Sequence, residues 1–369
     1  MHKKSENVAV LIPSLEPDDR LIGYVSSLLN KGFLYVVVVD DGSNESYQYI
    51  FDTLSKMGGC TVLHHTKNMG KGRALKTGFK YIYDNYKDCK GVITVDADGQ
   101  HSIADVFKLA ASLSTNKQAL YLGSRDFSIN KVPVKSRLGN RITSVVFCLL
   151  HGQWLPDTQT GLRAFGYPLL VFMDKVEGSR FEYEMNVLIA CSRERVPMIP
   201  ITIETIYENE NKGSHFHPIR DSIRIYRLIL KDFFKYTSAS LITAVIDIML
   251  FWLLLDLAGM IMGEFGTLYK IGFATVTARF LSATINFLLN KKFVFKIRLS
   301  GKGAILKYTL LCIASTSLSA VLVTLFHNAI GIDEKIVKIV CDTCIFFLNF
   351  TVQKKWIFAS KRTTEFISM

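Results

Sequence analysis

Residues 92–101 read VITVDADGQH, and this stretch decides the fold. Val92, Ile93 and Val95 form a short β-branched run of the kind buried in a parallel sheet. The run stops at two aspartates separated by one alanine, Asp96 and Asp98. In an α/β sheet the ligand crevice borders the carboxyl ends of the strands, so both carboxylates are expected to face a bound substrate. Hard oxygen ligands in that place suit Mg²⁺ or Mn²⁺, shared with a substrate diphosphate. Acidic turns after strands are common, so the neighbouring sequence has to carry the argument.

Upstream, Val8–Ile12 predicts a first strand, followed by Pro13, Ser14 and an acidic loop ending in Asp18 and Asp19. Such a loop either holds a nucleotide base at a sheet edge or caps a helix. Arg20–Asn30 has amphipathic helical spacing. Leu34–Val39 predicts the next strand, which ends in Asp40-Asp41-Gly42-Ser43, a second acidic tip where glycine permits a sharp turn. A third strand, Thr61–His64, leads into HTKNMGKGRALKTG at 65–78. Gly70 and Gly72 before a helix give this run the composition of a phosphate loop, with backbone amides and Lys71 available to an anion. The Walker pattern G-x-x-x-x-G-K-[ST] is absent, and a plain basic turn opening a helix is the other reading. Downstream, Ala119–Gly123 predicts a fifth strand that ends in Ser124-Arg125 and brings a guanidinium to the same crevice.

Together VVVVDDGS, the run at 65–78, DADGQH and GSR at 123–125 resemble the family-2 glycosyltransferases of the GT-A fold, in particular the polyprenyl-phosphate sugar transferases that include dolichyl-phosphate mannose synthases. The resemblance covers roughly residues 5–217. It implies an α/β, Rossmann-like catalytic domain and a nucleotide-diphosphate-sugar donor. It places Asp41 where the family contacts the nucleotide, and Asp96, Asp98 and Gln100 where relatives hold the divalent ion and diphosphate. The opening loop PSLEPDD departs from the usual PxYNE-like loop, which leaves base and sugar open.

Lys131, Lys135, Arg137 and Arg141 precede the apolar run ITSVVFCLL. Nine residues cannot span a bilayer but can lie in its interface, and Arg137 and Arg141 stand at i,i+4 for a lipid phosphate. A core helix with a solvated basic end has the same pattern. In related transferases this region contributes to the acceptor site. DTQTGLR at 157–163 resembles the family's loop beside sugar and acceptor. FEYE at 181–184 opens a helix and, read by itself, suggests only stabilisation of the positive helix end. Met198–Ile206 predicts a late strand; the following stretch, with Lys212, Ser214, His215 and His217, resembles a flexible segment that closes over diphosphate.

The candidate site therefore places Asp98, Asp157, Gln159 and Arg137 at the reacting centre. Pro13, Asp40, Asp41, Lys71, Asp96, Arg125 and Arg163 are assigned to the nucleotide sugar and its phosphates. Asp96, Asp98 and Gln100 are assigned to the metal.

The remaining sequence changes character. Of 369 residues 49% are hydrophobic, mean hydropathy is +0.23, and the apolar content concentrates beyond residue 235. Net charge is +12, of which +7 falls in 236–369. Because this excess borders apolar segments, anionic lipid explains it better than nucleic acid. Pro218–Lys235 reads as a basic amphipathic linker helix. Apolar segments at about 236–257, 268–289, 304–326 and 336–357 are each long enough to cross a bilayer. Lys291, Lys292, Lys296, Arg298 and Lys302 follow the second, and Lys354, Lys355, Lys361 and Arg362 follow the fourth. The positive-inside rule then puts both termini and the middle loop in the cytoplasm. The N-terminus lacks an apolar stretch long enough for a secretory signal, and the seven scattered cysteines are expected to be reduced thiols.

RFLSATINFLLNKKFVF at 279–295, echoed by NFTVQKKWIF at 349–358, makes this half resemble the GtrA-like four-helix family and hints at an internal repeat. Asp247 and Arg279 fall in mid-span, where charges are costly unless paired, so the two are expected to pair, either as a structural link or around a polar path or headgroup site. The domains expected are 1–217 catalytic, 218–235 linker and 236–369 membrane. The function expected is inverting transfer of a hexose-type sugar from a nucleotide-diphosphate sugar to polyprenyl phosphate of undecaprenyl type, with Mg²⁺ or Mn²⁺, at the plasma membrane, for cell-surface glycan synthesis; homo-oligomerisation stays open. The alternatives are a lipid-sugar flippase or scaffold, a nucleotidyltransferase, and a polysaccharide synthase, against which the missing QxxRW motif counts.

Overall fold

The computed structural model describes residues 6–125, 134–204, 218–261, 267–295, 303–330 and 333–358. Expectations for Lys131, for the side chain of Lys135, for 205–217 with its two histidines, and for Lys296, Arg298, Lys302, Lys361 and Arg362 lie outside the described residues.

Every residue from Val8 to Ile12 is buried, so β1 (Glu6–Ser14) shows no face to solvent there. A strand apolar on both sides belongs in the middle of a sheet covered by helices. It pairs in parallel with β2 (Phe33–Asp40) and with β4 (Gly91–Thr94), and β3 (Cys60–His64) extends the sheet beyond β2. On the other flank β5 (Leu120–Arg125) pairs in parallel with β7 (Met198–Ile203). The seven-stranded order is β3-β2-β1-β4-β6-β5-β7.

The joining strand, β6 (Arg163–Gly166), is antiparallel to both β4 and β5. The sequence reading leaves Arg163 at the end of a loop and predicts no strand after it. Four residues bounded by arginine and glycine carry no period; strands on both sides impose the extended form instead. Because β6 runs backwards, its start lies beside the end of β4, with Thr94 opposite Arg163. The preceding 157–161 loop thus arrives at the same sheet edge as Asp96.

Val8, Val10 and Ile12 meet α1 (Arg20–Asn30), α2 (Gln48–Ser55) and α4 (Ile103–Ser112) in one apolar layer. On the opposite face lie α3 (Lys71–Asn85), α6 (Leu170–Lys175) and α7 (Glu182–Glu194). There Phe79 stands edge-on to Phe165 at 5.2 Å, and the Tyr183 hydroxyl donates to the Met173 carbonyl at 2.7 Å. Between β5 and β6 runs α5 (Val134–His151).

The chain divides into two compact units, the first ending at Ile229 and the second spanning Leu230–Lys361. The dividing point lies inside α8 (Pro218–Ile261), so the amphipathic segment and the first apolar span are one uninterrupted helix. With α9 (Thr267–Leu289), α10 (Ala304–Ile330) and α11 (Glu334–Val352), four helices among the described residues are long and apolar enough to cross a membrane.

Asp247 and Arg279 do pair: a guanidinium nitrogen lies 3.3 Å from the carboxylate, which also accepts from Ser282 Oγ at 2.7 Å. The sequence echo has a structural counterpart. Thr243 and Asp247 on α8 recur 72 residues later as Ser315 and Ser319 on α10, and Asn286 and Asn290 recur 63 later as Asn349 and Gln353. Asn286 donates to Thr243 Oγ1 at 2.9 Å; in the second half Ser315 Oγ donates to Asn349 Oδ1 at 2.7 Å. Ser319 hydrogen-bonds Asp342, and Asn290 donates to Gln353 across the halves at 3.1 Å. Both echoes end in a π-helical turn, Asn290–Val294 and Gln353–Ile357. All seven cysteines are unpaired.

Candidate active site

The β2 tip organises the turn that begins α3. Asp41 is buried, and its carboxylate accepts from the backbone amides of Met69 at 3.0 Å and Gly70 at 2.7 Å while meeting His65 Nδ1 at 2.7 Å. The glycine turn therefore does bind an anion, and that anion is an internal carboxylate. Gly70 has φ +97°, and a Cβ on it would lie 2.5 Å from the Ser179 carbonyl, so this glycine lets the α7 approach pack against the turn. Asp40, also buried, accepts from the Ser43 amide at 2.8 Å and faces His64 Nδ1 at 3.0 Å. Burial works to raise the Asp40 pKa, but the hydrogen bonds from Ser43, His64 and Gln48 outweigh it and hold the group below its ordinary value. Pro13 is buried on β1 with its register partner Val39 on β2.

At the β4 tip the carboxylates differ. Lys71, the first residue of α3, donates from Nζ to Asp96 Oδ1 at 2.7 Å and to Glu184 Oε2 at 3.1 Å. His101 Nε2 lies 3.5 Å from Asp96 Oδ2. Burial opposes ionisation of Asp96, but Lys71 and His101 overcome it and keep the carboxyl well below the usual range. Lys71 is shifted up: burial opposes its charge, and the two carboxylates more than offset that. Asp98 has no such direct ion pair among the described residues, and His101 and Lys71 act on it only at a distance. Burial first, and then the charge of Asp96, push its pKa above the ordinary value. Its Oδ1 accepts from the Gln100 amide at 3.0 Å, which folds 98–100 into a tight turn.

The 157–163 loop closes the edge. Asp157 is buried and takes Arg125 Nε at 2.6 Å and Nη2 at 3.1 Å. Gln159 is exposed, its amide donating to Asp157 at 3.0 Å. Thr94 Oγ1 donates to the Gly161 carbonyl at 2.8 Å, and a Cβ at Gly161 would stand 2.2 Å from Asp96 Oδ2. The absent side chain leaves the space into which Asp96 fits. Arg163 is buried and donates to the carbonyls of Thr160 at 2.9 Å and Glu184 at 2.7 Å. These bonds make it a link between the loop and α7.

Asp40, Asp41, Lys71, Asp96, Asp98, Gln100, Arg125, Asp157 and Gln159 thus arise at strand ends and turns of one sheet edge. Glu184 is the residue the sequence reading missed as part of this cluster. Helix stabilisation, the reading FEYE suggests by itself, holds for one of its acids: Glu182 accepts from the Ser179 and Arg180 amides at 3.1 Å each, whereas Glu184 turns to Lys71. Two acids at i,i+2 on a helix point in different directions, and that was the available signal.

Arg137 lies on α5, half-buried, while Arg141 is exposed. Asn140 ties this helix to the loop, donating to the Pro156 carbonyl at 2.5 Å and accepting from the Thr158 amide at 3.4 Å. Phe147 and Leu150 anchor the helix in the core, but its other buried positions are polar and its outer face is largely apolar. Asn140, Thr143, Ser144 and His151 are buried, whereas Leu138, Ile142, Val145 and Leu149 are 58%, 45%, 41% and 57% exposed. Their spacing makes a continuous apolar stripe on the outside.

Among the described residues no group of three or more His, Cys, Asp or Glu side chains forms a metal cage. Two carboxylates and an amide nevertheless suit Mg²⁺ or Mn²⁺, since Mg²⁺ sites commonly use one or two carboxylates and complete the shell with phosphate and water.

The Glycosyl transferase family 2 domain matches residues 9–183, and the GtrA/DPMS transmembrane domain matches residues 235–358. The chain is 29% identical over 233 residues to an uncharacterized protein of Methanocaldococcus jannaschii, covering 62% of this chain and 93% of that one. It is 28% identical over 240 residues to the UDP-N-acetylglucosamine–dolichyl-phosphate N-acetylglucosaminyltransferase of Methanococcus voltae, covering 60% and 95%. It is 25% identical over 261 residues to the dolichyl-phosphate beta-glucosyltransferase of Saccharomyces cerevisiae, covering 61% and 74%.

Proposed function

We propose, from the matches to a family-2 glycosyl transferase domain at 9–183 and to a GtrA/DPMS transmembrane domain at 235–358, that this chain transfers a sugar from a nucleotide-diphosphate sugar to a polyprenyl phosphate with inversion at the anomeric carbon. The observation that carries the reading is the single sheet edge that gathers carboxylates for a divalent cation and the cations Lys71 and Arg125 for phosphate. Two relatives are named for transfer to dolichyl phosphate, which supports the acceptor class. The apolar outer face of α5, a helix tied to the 157–158 turn, supports delivery of that acceptor from a lipid surface.

Asp96, Asp98 and Gln100 would hold Mg²⁺ or Mn²⁺, which would neutralise charge on the departing diphosphate. The chain's own residues then align and stabilise. Buried Asp157 orients the Arg125 guanidinium toward anionic groups, and Arg137 and Arg141 on α5 attract the lipid phosphate. An acceptor phosphate is already an anion at neutral pH, so alignment and electrostatics supply most of the barrier reduction without a strong side-chain base. Inversion converts an α-linked donor into a β-linked lipid product. We assign catalysis to 1–217, interfacial attachment to 218–235 and membrane anchoring to 236–369. Both termini belong in the cytoplasm, where nucleotide sugars are available, and an undecaprenyl-type carrier at the plasma membrane is the acceptor assigned.

The test incubates the purified full chain with polyprenyl phosphate and UDP-, GDP- and dTDP-sugars, with Mg²⁺ or Mn²⁺, and analyses the lipids by mass spectrometry. At least one donor should give a polyprenyl-phosphate-sugar. Asp98→Asn should reduce its rate by about 10²-fold or more. Absence of glycolipid from every donor would sink the proposal.

A further inference from the structure

Lys71 is bonded to two carboxylates at once, and one of its bonds falls on Asp96 Oδ1, in the carboxylate assigned to the metal. A divalent cation arriving alone would have to share that carboxylate with an ammonium, and like charges at such range repel. The backbone around Lys71 is pinned. Met69 and Gly70 amides are held by Asp41, and the Arg73 amide donates to the carbonyls of Gly70 and Ser179, each at 2.9 Å. Any change of partner by Lys71 must therefore be a rotation of its side chain. Its second anchor is equally fixed. Arg163 holds the Glu184 carbonyl, and the neighbouring Tyr183 is buried with its hydroxyl on Met173.

We propose that Lys71 is a partner-exchanging counter-ion that couples divalent-cation binding to diphosphate binding. Without donor it neutralises Asp96 and keeps the cation out. When a nucleoside diphosphate enters, Lys71 turns from Asp96 to a phosphate oxygen while Glu184 keeps Nζ within reach. The vacated oxygen of Asp96 then accepts the cation that the same diphosphate brings with it. Glu184 is a positioning residue, since it acts through Lys71. By linkage, cation and diphosphate must each tighten the other by the same factor. The inference rests on the transfer reading and adds an order to it: the metal is not resident between turnovers.

Binding of Mn²⁺ to the full chain in detergent, followed by the electron paramagnetic resonance signal of the free ion, tests this without turnover. Titrations are run with no nucleotide, with UDP, with GDP and with dTDP. In the unaltered protein one nucleotide should tighten Mn²⁺ by about tenfold or more. Lys71→Met and Lys71→Gln should bind Mn²⁺ alone about fivefold more tightly and lose most of that coupling. Glu184→Gln leaves Lys71 with Asp96 as its one carboxylate and should weaken Mn²⁺ binding without nucleotide, the opposite sign. Thermal unfolding checks that each variant is folded. Unchanged coupling in the Lys71 variants overturns the inference, as does tighter nucleotide-free Mn²⁺ binding in Glu184→Gln, a variant that leaves Lys71 in place. If the unaltered protein binds no Mn²⁺ with any of the three nucleotides and makes no glycolipid, the transfer reading fails too; glycolipid without Mn²⁺ binding overturns the inference alone. If coupling is present and the variants share it, counter-ion exchange alone fails.

Discussion

At the scale of single residues, Gly161 is the sharpest place to disturb the site. Its missing Cβ would lie 2.2 Å from Asp96 Oδ2 and 2.5 Å from Oδ1. Gly161→Ala should displace that carboxylate, lowering kcat/KM by about 10²-fold, as ångström-scale misplacement does. Mn²⁺ affinity in the presence of nucleotide should fall with it. An unchanged kcat/KM would show that Asp96 is not held by this contact. The acidic tips were legible because strand ends in α/β sheets border ligands. What the chain did with them was not. Asp41 reads as a ligand to nucleotide, yet its oxygens are committed to Met69, Gly70 and His65. Glu184 joins Lys71 across 113 residues of sequence, and no local pattern reports a contact of that range.

At the scale of elements, α5 and β6 show opposite limits of sequence reading. The run ITSVVFCLL permits both a core helix and an interfacial one, because apolar spacing says nothing about which side is covered. The buried Asn140, Thr143 and Ser144 and the exposed Leu138, Ile142, Val145 and Leu149 decide for an apolar outer face. If the apolar face of α5 meets lipid as proposed, Ile142→Asp combined with Leu149→Asp should abolish that association and cut transfer to polyprenyl phosphate in liposomes by about tenfold or more, because each replaces exposed apolar area with charge. Stability should change little, since exposed positions tolerate substitution to within about 0.5 kcal/mol each. Equal transfer rates in liposomes would remove α5 from the acceptor path. For β6 the sequence offered almost nothing. Arg163–Gly166 is a strand because β4 and β5 flank it, and the six other strands, each with its own apolar run, were readable without that help.

At the scale of the whole molecule, the positive excess and the four apolar helices predict a sidedness that can be checked. In intact cells Glu264→Cys should react with a membrane-impermeant maleimide above the background of the native thiols, and Lys302→Cys should react only after permeabilisation. The reverse pattern would turn the proposed orientation around. The hydrogen bonds Thr243–Asn286 and Ser315–Asn349 tie α8 to α9 and α10 to α11 one turn before the lysine pair in each copy of the KK-aromatic echo, links that the echo itself does not disclose. The reversed β6 has a consequence of another kind, in the order of assembly. Thr94 and its partner Arg163 are 69 residues apart, and the strand between β4 and β5 is the later of the three to be synthesised. Closing so long a loop is slow compared with forming local contacts. Until residues 163–166 have been made, β4 presents an open apolar edge and β5 has nothing to join it to the sheet. A nascent chain stopped short of that point is therefore an aggregation-prone intermediate, and the edge carrying Asp96 and Asp157 comes into being only when β6 bridges β4 and β5.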